Sequence, residues 1–278
     1  NIFACYWLIK WTMKSRPGEG AVGEVTGHSW DGLEEYNNPL PKWWLWLFYI
    51  TIVFALVYLV LYPGLGNTKG VLGWSSTGQY NEEVADADTK YSPIFAGFSS
   101  TSVADLTKNN DAMEAGKRLF SNYCSQCHGS DAKGNKGYPN LADNDWLYGG
   151  SPEQIKQTIL MGRSGQMPAL GAVLGDKVDD VVNYVQSLSG RDVDAASAEK
   201  GKASFQMMCA ACHGMDAKGN QMLGAPNLTD NIWLYGSTAG SIKTTITDGR
   251  KGVMPAHKEF LGEDKSHLLT AYIYSLSN

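Results

Sequence analysis

Cys124, Cys127 and His128 form the stretch CSQCHG (124–129), two thiols two residues apart with an imidazole directly after the second. Three chemistries use such a set. A zinc site needs two more Cys or His ligands at matching spacing. A redox dithiol needs a surrounding strand–helix–strand pattern. Covalent attachment of a c-type haem needs nothing further: the two sulfurs add to the two vinyl groups of one porphyrin, and the histidine lies under the iron as an axial ligand.

The motif recurs as CAACHG (209–214), with Cys209, Cys212 and His213. CSQCHGSDAKGN aligns with CAACHGMDAKGN at an offset of 85 residues, whereas PNLADNDWLYG (139–149) and GRSGQMPA (162–169) align with PNLTDNIWLYG (226–236) and GRKGVMPA (249–256) at an offset of 87. Two extra residues therefore lie in QMLGA (221–225) of the second copy. Self-similarity at a fixed period means repeated modules, here of small-domain size. Each copy carries a methionine in a G-x-M-P-A context, Met167 lying 39 residues after His128 and Met254 lying 41 residues after His213. A thioether is a soft ligand suited to haem iron and raises its reduction potential. Met167 and Met254 are thus the expected sixth ligands opposite His128 and His213, each in its own module or crossed to its neighbour. Met161, Met207, Met208, Met215 and Met222 have no counterpart in the other copy and read as core or surface, and His257 reads as a surface histidine.

The elements that must position these groups read as helices. Apolar residues recur at helical spacing over 111–124 and again over 195–209, with Gly116 matched by Gly201 and Phe120 by Phe205. Segment 151–162 opens on a serine cap followed by proline and glutamate, and 238–249 is its copy. Helices over 177–190 and 265–278 close the two modules, and the glycines predict a close crossing of first and last helices. Strand patterns are absent. The expected fold is all-α, a transmembrane helix followed by two tandem class I cytochrome c domains, at 111–190 and 191–278. A module this small has little apolar core of its own, and the haem supplies the missing bulk. Pro139 and Pro226 are candidates to offer carbonyls to the axial imidazoles. Trp146, Tyr148, Trp233 and Tyr235 contact propionates or pack. Arg163 and Arg250 pair with propionates or stay solvated.

WWLWLFYITIVFALVYLVLY (43–62) is 20 residues without a charge. At about 1.5 Å per residue it spans a hydrocarbon layer of roughly 30 Å, with tryptophans crowding one end and tyrosines the other. Lys10, Lys14, Arg16 and Lys42 precede it, while residues 63–107 hold only Lys69 and Lys90. The positive-inside rule puts 10–42 in the cytoplasm and the haem modules outside. Bacterial haem attachment on the periplasmic side agrees, so the expected location is a bacterial inner membrane with the haem domains in the periplasm. The apolar stretch 2–9 reads as the last turns of an earlier span or as an interfacial helix, with Cys5 a buried thiol. Residues 63–110 read as a linker in which YSPIFAGF (91–98) docks on something. Net charge is −5, with 7 positive and 9 negative groups over 111–190 and 9 of each over 191–278. No basic stripe suggests nucleic acid.

WDGLEEYNNPLPKWW (30–44), leading into the span and YPG (62–64), resembles the dihaem subunit, subunit III, of cbb3-type cytochrome c oxidases, the C-family haem–copper oxidases. The resemblance runs over about residues 28–278, and the N-terminal apolar segment departs from shorter, single-span members. It implies two covalently bound c-type haems and an electron-entry role. A cytochrome c donor would hand electrons to one haem. They would pass to the second, to the monohaem c subunit and to the catalytic haem b/copper subunit, where oxygen reduction and proton pumping belong. The chain itself shows no nucleophile–base constellation. The competing readings are a dihaem carrier of another respiratory complex, a dihaem peroxidase with one weakly ligated iron, and a redox sensor.

Overall fold

The computed structural model describes residues 1–277 and divides into two compact units, residues 1–89 and 90 onward. In the first, helix α1 (Ile2–Thr12) lies beside α2 (Lys42–Leu61), with the Tyr6 and Tyr49 rings 5.9 Å apart. Cys5 is exposed on α1, not buried as its apolar neighbours suggest. Between these helices the chain makes a hairpin of β1 (Val25–Trp30) and β2 (Leu33–Tyr36). Its turn is Asp31-Gly32, both at positive φ (50° and 84°), the backbone that a two-residue hairpin turn demands and Asp-Gly supplies.

Helix α2 starts after Pro41 and stops before Pro63, within one residue at each end of the span expected. It is 20 residues long, apolar, and buried nowhere by protein, so its length and composition suit a bilayer. Tyr58 and Tyr62 stack at its far end, 4.6 Å apart. The chain then turns back: the Val71 and Leu72 amides donate to the Val60 and Leu61 carbonyls at 2.9 and 3.0 Å, satisfying acceptors that a helix end leaves open. Gly70 (φ +69°) allows this, because a β-carbon there would meet the Leu61 carbonyl.

Residues 76–99, within the stretch read as a linker, form helix α3 (Ser76–Ser99). In the second unit its end is covered: Phe95 and Phe98 pack on a cluster of Val103, Leu106, Ala112, Leu268 and Ala271. Leu106 belongs to the short helix α4 (Val103–Leu106). Ser99 Oγ donates to Asp264 at 2.6 Å, and His267 Nε2 meets the Thr101 carbonyl at 2.9 Å.

The repeats follow as α5 (Asn110–Tyr123), α6 (Ser125–His128), α7 (Pro152–Met161), β3 (Arg163–Met167), α8 (Gly171–Leu174) and α9 (Val178–Leu188), then α10 (Ala195–Met208), α11 (Ala210–His213), α12 (Ala239–Asp248), β4 (Arg250–Met254) and α13 (Lys258–Leu276). Helix α13 is kinked at Gly262 (φ +70°). Ser151 caps α7 as the sequence announces and also forms a reciprocal capping box with Gln154, and Thr238 caps α12.

The packing exchanges the repeats. Helix α13 lies on α5 and α7, and α9 lies on α10 and α12. Phe120 of α5 meets Tyr272 of α13 with rings 5.6 Å apart, and Phe205 of α10 meets Tyr184 of α9 at 5.2 Å. Both phenylalanines are almost wholly buried. The matched glycines make both crossings close: a β-carbon on Gly116 would press on Tyr272, and one on Gly201 would strike the backbone of Asp180. One compact body therefore holds α5–α7 with α13, and the other holds α8–α9 with α10–α12. A connection of only six residues, 189–194, joins α9 to α10, and so short a link makes consecutive helices antiparallel neighbours. The chain changes body along β3 and β4, which pair antiparallel with Gly165 opposite Gly252 at the centre. The sequence shows no strand period here; the ribbon exists because two extended crossover segments run past each other.

Candidate haem sites

Each Cys-x-x-Cys-His segment begins as a helix ends. The Cys124 and Cys209 amides donate to the Phe120 and Phe205 carbonyls at 2.8 Å, and a single helical turn then carries the second cysteine and the histidine. His128 Nδ1 lies 2.9 Å from the Pro139 carbonyl and His213 Nδ1 lies 3.1 Å from the Pro226 carbonyl. A carbonyl only accepts, so Nδ1 carries the proton and Nε2 keeps its lone pair free as a metal ligand. Burial holds both imidazoles below the usual histidine range, against the opposing pull of the proline carbonyls. Burial thus favours the neutral form that a metal ligand needs.

The loops behind the histidines are also matched. The Gly134 and Gly219 amides donate to the His128 and His213 carbonyls, both at 2.8 Å. Ala132 and Ala217 sit buried at φ +59° and +58°, a conformation costly for a residue with a β-carbon. Their carbonyls receive the Leu141 and Leu228 amides at 2.7 and 2.9 Å. The sequence shows D-A-K-G-N twice but gives no sign that its alanine is strained.

The leading thiol of each pair lacks the lowered value of a reactive dithiol. Burial, helped by the neighbouring Cys127, pushes Cys124 up to about 11, and burial with Cys212 raises Cys209; a reactive cysteine has a lowered value. Among the described residues no group of three or more His, Cys, Asp and Glu side chains is arranged to hold a metal ion, so the two additional ligands of a structural zinc site are not assembled.

The two methionines lie at opposite ends of the ribbon. Met254 stands opposite Arg163 and Met167 opposite Arg250. Met254 packs on the cluster of Phe120, Ala132, Ile155 and Ile159, beside Cys124 and Trp146. Met167 packs on the cluster containing Phe205, Cys209 and Ala217, beside Trp233. Each methionine thus stands with the cysteine segment of the other repeat. Gly162 (φ +68°) and Gly249 (φ +72°) permit the crossover, since a β-carbon at either would collide with the Met254 or Met167 carbonyl respectively. Of the other methionines, Met161, Met207, Met215 and Met222 are exposed and Met208 is core. His257, expected on the surface, is half-buried with an enclosed Nδ1, because its backbone amide joins the body of α7 through the Ile159 carbonyl at 3.0 Å.

Arg163 and Arg250 donate from Nε to Thr158 and Thr245 at 2.9 and 3.0 Å and stack on Tyr148 and Tyr235. Neither takes part in a salt bridge among the described residues. One residue the sequence did not single out joins them: Arg191 lies 5.7 Å over the Trp233 ring. Arg191 Nε and Trp233 Nε1 are both buried without a protein partner. Two orphaned donors on neighbouring side chains fit a carboxylate such as a haem propionate. With the free Nε2 atoms, the cysteine pairs and the opposed thioethers, the residues fit haem c.

Residues 22–69 match the family described as the N-terminal domain of cytochrome oxidase-cbb3, FixP. Residues 111–185 and 196–273 each match the family described as cytochrome c oxidase, cbb3-type, subunit III. The cbb3-type cytochrome c oxidase subunit CcoP of Rubrivivax gelatinosus is 48% identical over 98% of this chain and 90% of its own length. The corresponding subunit FixP of Azorhizobium caulinodans is 44% identical over 94% of this chain and 95% of its own, and that of Bradyrhizobium sp. is 44% identical over 91% and 94%. The cysteine and histidine segments just described lie inside the two stretches matched to subunit III, and on these matches the chain belongs to the cbb3-type cytochrome c oxidase subunit III family.

Proposed function

We propose that the chain is the membrane-anchored, dihaem electron-entry subunit of a cbb3-type haem–copper oxidase. It takes electrons from a cytochrome c donor and delivers them to the monohaem c subunit and the catalytic haem b/copper subunit. In this reading α2 crosses a bacterial inner membrane and the haem-bearing unit lies in the periplasm, on the side with fewer lysines and arginines.

Cys124 and Cys127 tether one haem, and Cys209 and Cys212 the other. When bound, the group supplies an iron that changes oxidation state by one electron while its ligands stay in place. His128 and His213 provide the proximal nitrogens, held in one tautomer by Pro139 and Pro226. Met254 would serve the first site and Met167 the second, so that each haem would be held by residues of both repeats. Trp233 and Arg191 would hold a propionate of the second site, while Trp146, Arg163 and Arg250 would line the two pockets. With a histidine and a methionine offered to each haem, the chain would carry electrons, and the reduction of oxygen would belong to another subunit.

The observation that carries the crossed pairing is the packing of Met254 on the cluster that Cys124 also joins, and of Met167 on the cluster that contains Cys209. The test uses the full chain with one haem removed by Cys124→Ala/Cys127→Ala. In that background Met167→Ala is expected to open the remaining ferrous haem to carbon monoxide, and Met254→Ala to leave it blind. The reverse result would assign each methionine to its own repeat. Two c-type haems per wild-type chain, neither binding carbon monoxide, is the expected starting point.

A further inference from the structure

Tyr148 and Tyr235 occupy a place that the haem chemistry does not require. Each comes from the W-L-Y-G segment of one repeat and reaches across to the other. The Tyr148 ring fills the space where Gly224, in the two-residue insertion, lacks a β-carbon, and a β-carbon on Gly165 would stand 2.8 Å from its hydroxyl. Tyr235 is the pseudo-symmetric partner: a β-carbon on Gly137 would stand 3.4 Å from its ring, and one on Gly252 would stand 3.8 Å from its hydroxyl. Gly165 and Gly252 are opposed to each other at the middle of β3 and β4. Both hydroxyls therefore converge on the centre of the ribbon. The Gly137 amide adds a bond across the seam, donating to the Leu234 carbonyl at 2.8 Å.

Each ring also holds a cation. The Arg163 guanidinium lies 5.0 Å from the Tyr148 centroid and that of Arg250 lies 4.6 Å from Tyr235, within the range of cation–π attraction. The Nε bonds to Thr158 and Thr245 fix each guanidinium to the helix before it. Arg163 stands opposite Met254 and Arg250 opposite Met167. A chain of contacts thus runs from helix α7 through Arg163, held on Tyr148, to the methionine arriving from the other repeat, and its copy runs from α12 through Arg250, held on Tyr235.

We propose that Tyr148 and Tyr235 are positioning residues for the axial methionines, each clamping one end of the β3–β4 ribbon so that Met254 and Met167 stay on their irons. The inference rests on the crossed ligation proposed above. It assigns Tyr148 to the Met254 site and Tyr235 to the Met167 site, and it explains why each ring is seated against glycines from both repeats.

The test is spectroscopic. In the full chain, Tyr148→Ala is expected to lose about half of the weak far-red methionine-to-iron absorption of the ferric protein, one site of two, and to bind one carbon monoxide per chain when reduced. Tyr148→Phe keeps the ring and its stack and is expected to retain both methionine ligands. Arg163→Gln leaves the ring seated. It is expected to raise the affinity of the same ferric site for added imidazole about tenfold, the equivalent of ~1.4 kcal/mol. A Tyr148→Ala protein with both haems, full far-red absorption and no carbon monoxide binding would overturn the clamp. So would a Phe variant as damaged as the Ala variant, or, should Tyr148→Ala yield no holoprotein, an unchanged imidazole affinity in Arg163→Gln. Repeating Tyr148→Ala with Cys124→Ala/Cys127→Ala separates the two ideas. A remaining haem that stays closed agrees with crossed ligation. One that opens leaves the tyrosine a clamp but sinks the crossed pairing.

Discussion

The two bodies built around the Cys-x-x-Cys-His segments have matched parts, yet they are not equally covered. Each has a phenylalanine under a tyrosine from the opposite repeat, a proline carbonyl on its histidine and an arginine stacked on a tyrosine. The body holding His128 gains a second apolar layer, in which Leu106, Val103, Phe95 and Phe98 lie over Leu268 and Ala271. The body holding His213 has no counterpart of that layer among the described residues, but it has Arg191 beside Trp233 with two buried donors open. Duplication supplied the common parts; the surroundings distinguish the sites, one by apolar cover and the other by buried polar groups without a protein partner.

The strongest way to break the symmetry is through the shared phenylalanines. Phe205→Ala should cost about 3–5 kcal/mol, the usual range for a fully buried aromatic truncated to alanine, and Phe120→Ala the same range. Because each ring joins helices of different repeats, either loss should lower the unfolding midpoint of the whole haem-bearing unit, followed by urea denaturation at fixed haem content. A variant that releases only its own repeat would show that the exchange is not what holds the two together. Leu106→Ala should cost about 2–4 kcal/mol and act on one body alone. The haem at Cys124 and Cys127 should lose methionine ligation at lower denaturant, with the other unchanged. Equal loss at both would remove the distinction drawn from the extra layer.

A smaller effect compares the two close helix crossings. At Gly201 a β-carbon meets the Asp180 carbonyl and the Val181 amide, which are backbone; at Gly116 the nearest atom is the first side-chain carbon of Tyr272, at 2.6 Å. Gly201→Ala is therefore expected to cost about 1–3 kcal/mol, the range for forcing extra volume into a packed site. Gly116→Ala is expected to cost less only because its closest approach, 2.6 Å, is longer than that at Gly201; the Tyr272 β-carbon is fixed to its backbone and cannot turn away. Thermal melts of the pair, read at the haem bands, check the order.

Much of this was legible because haem chemistry is local in sequence. Cys124, Cys127 and His128 need only one helical turn, and the duplication marks Met167 and Met254 by giving each a twin. The helices were legible from their apolar spacing and caps, as at Ser151 followed by Pro152, whereas the reciprocal bond to Gln154 was not read. The exchange was not. Gly116 and Gly201 announce a close crossing with a closing helix, but identical glycines in both repeats cannot say which of two similar helices, α9 or α13, arrives. That choice is made by chain connectivity, and the six-residue link 189–194 was its only trace. Helix α3 was hidden by its composition, polar over most of its length, with Phe95 and Phe98 giving apolar anchorage only near the end. Arg191 was hidden because it lies in that same link, with no twin to mark it, and meets Trp233 only through the fold.

The finest comparison is a single charge. Asp145 is the counterpart of Ile232, so the first repeat places a carboxyl where the second places an apolar side chain. Partial burial, and then the nearby carboxylates of Asp230 and Asp143, hold Asp145 above the usual carboxylate range. A group whose folded value is raised resists ionisation in the folded state. Its contribution to stability is fully present below the unfolded value near 3.8 and is lost as pH rises through the raised folded value. At neutral pH the ionised carboxylate is therefore a liability, and Asp145→Asn removes it without removing the side chain's shape. Asp145 keeps partial contact with water, so screening reduces the gain to about 0.2–1 kcal/mol. The stabilisation should be seen at pH 7 in low salt, shrink with added salt, and vanish as pH falls below the carboxylate range. A gain that persists unchanged into acid would have another origin than this charge, and Ile232 would then differ from Asp145 only in packing.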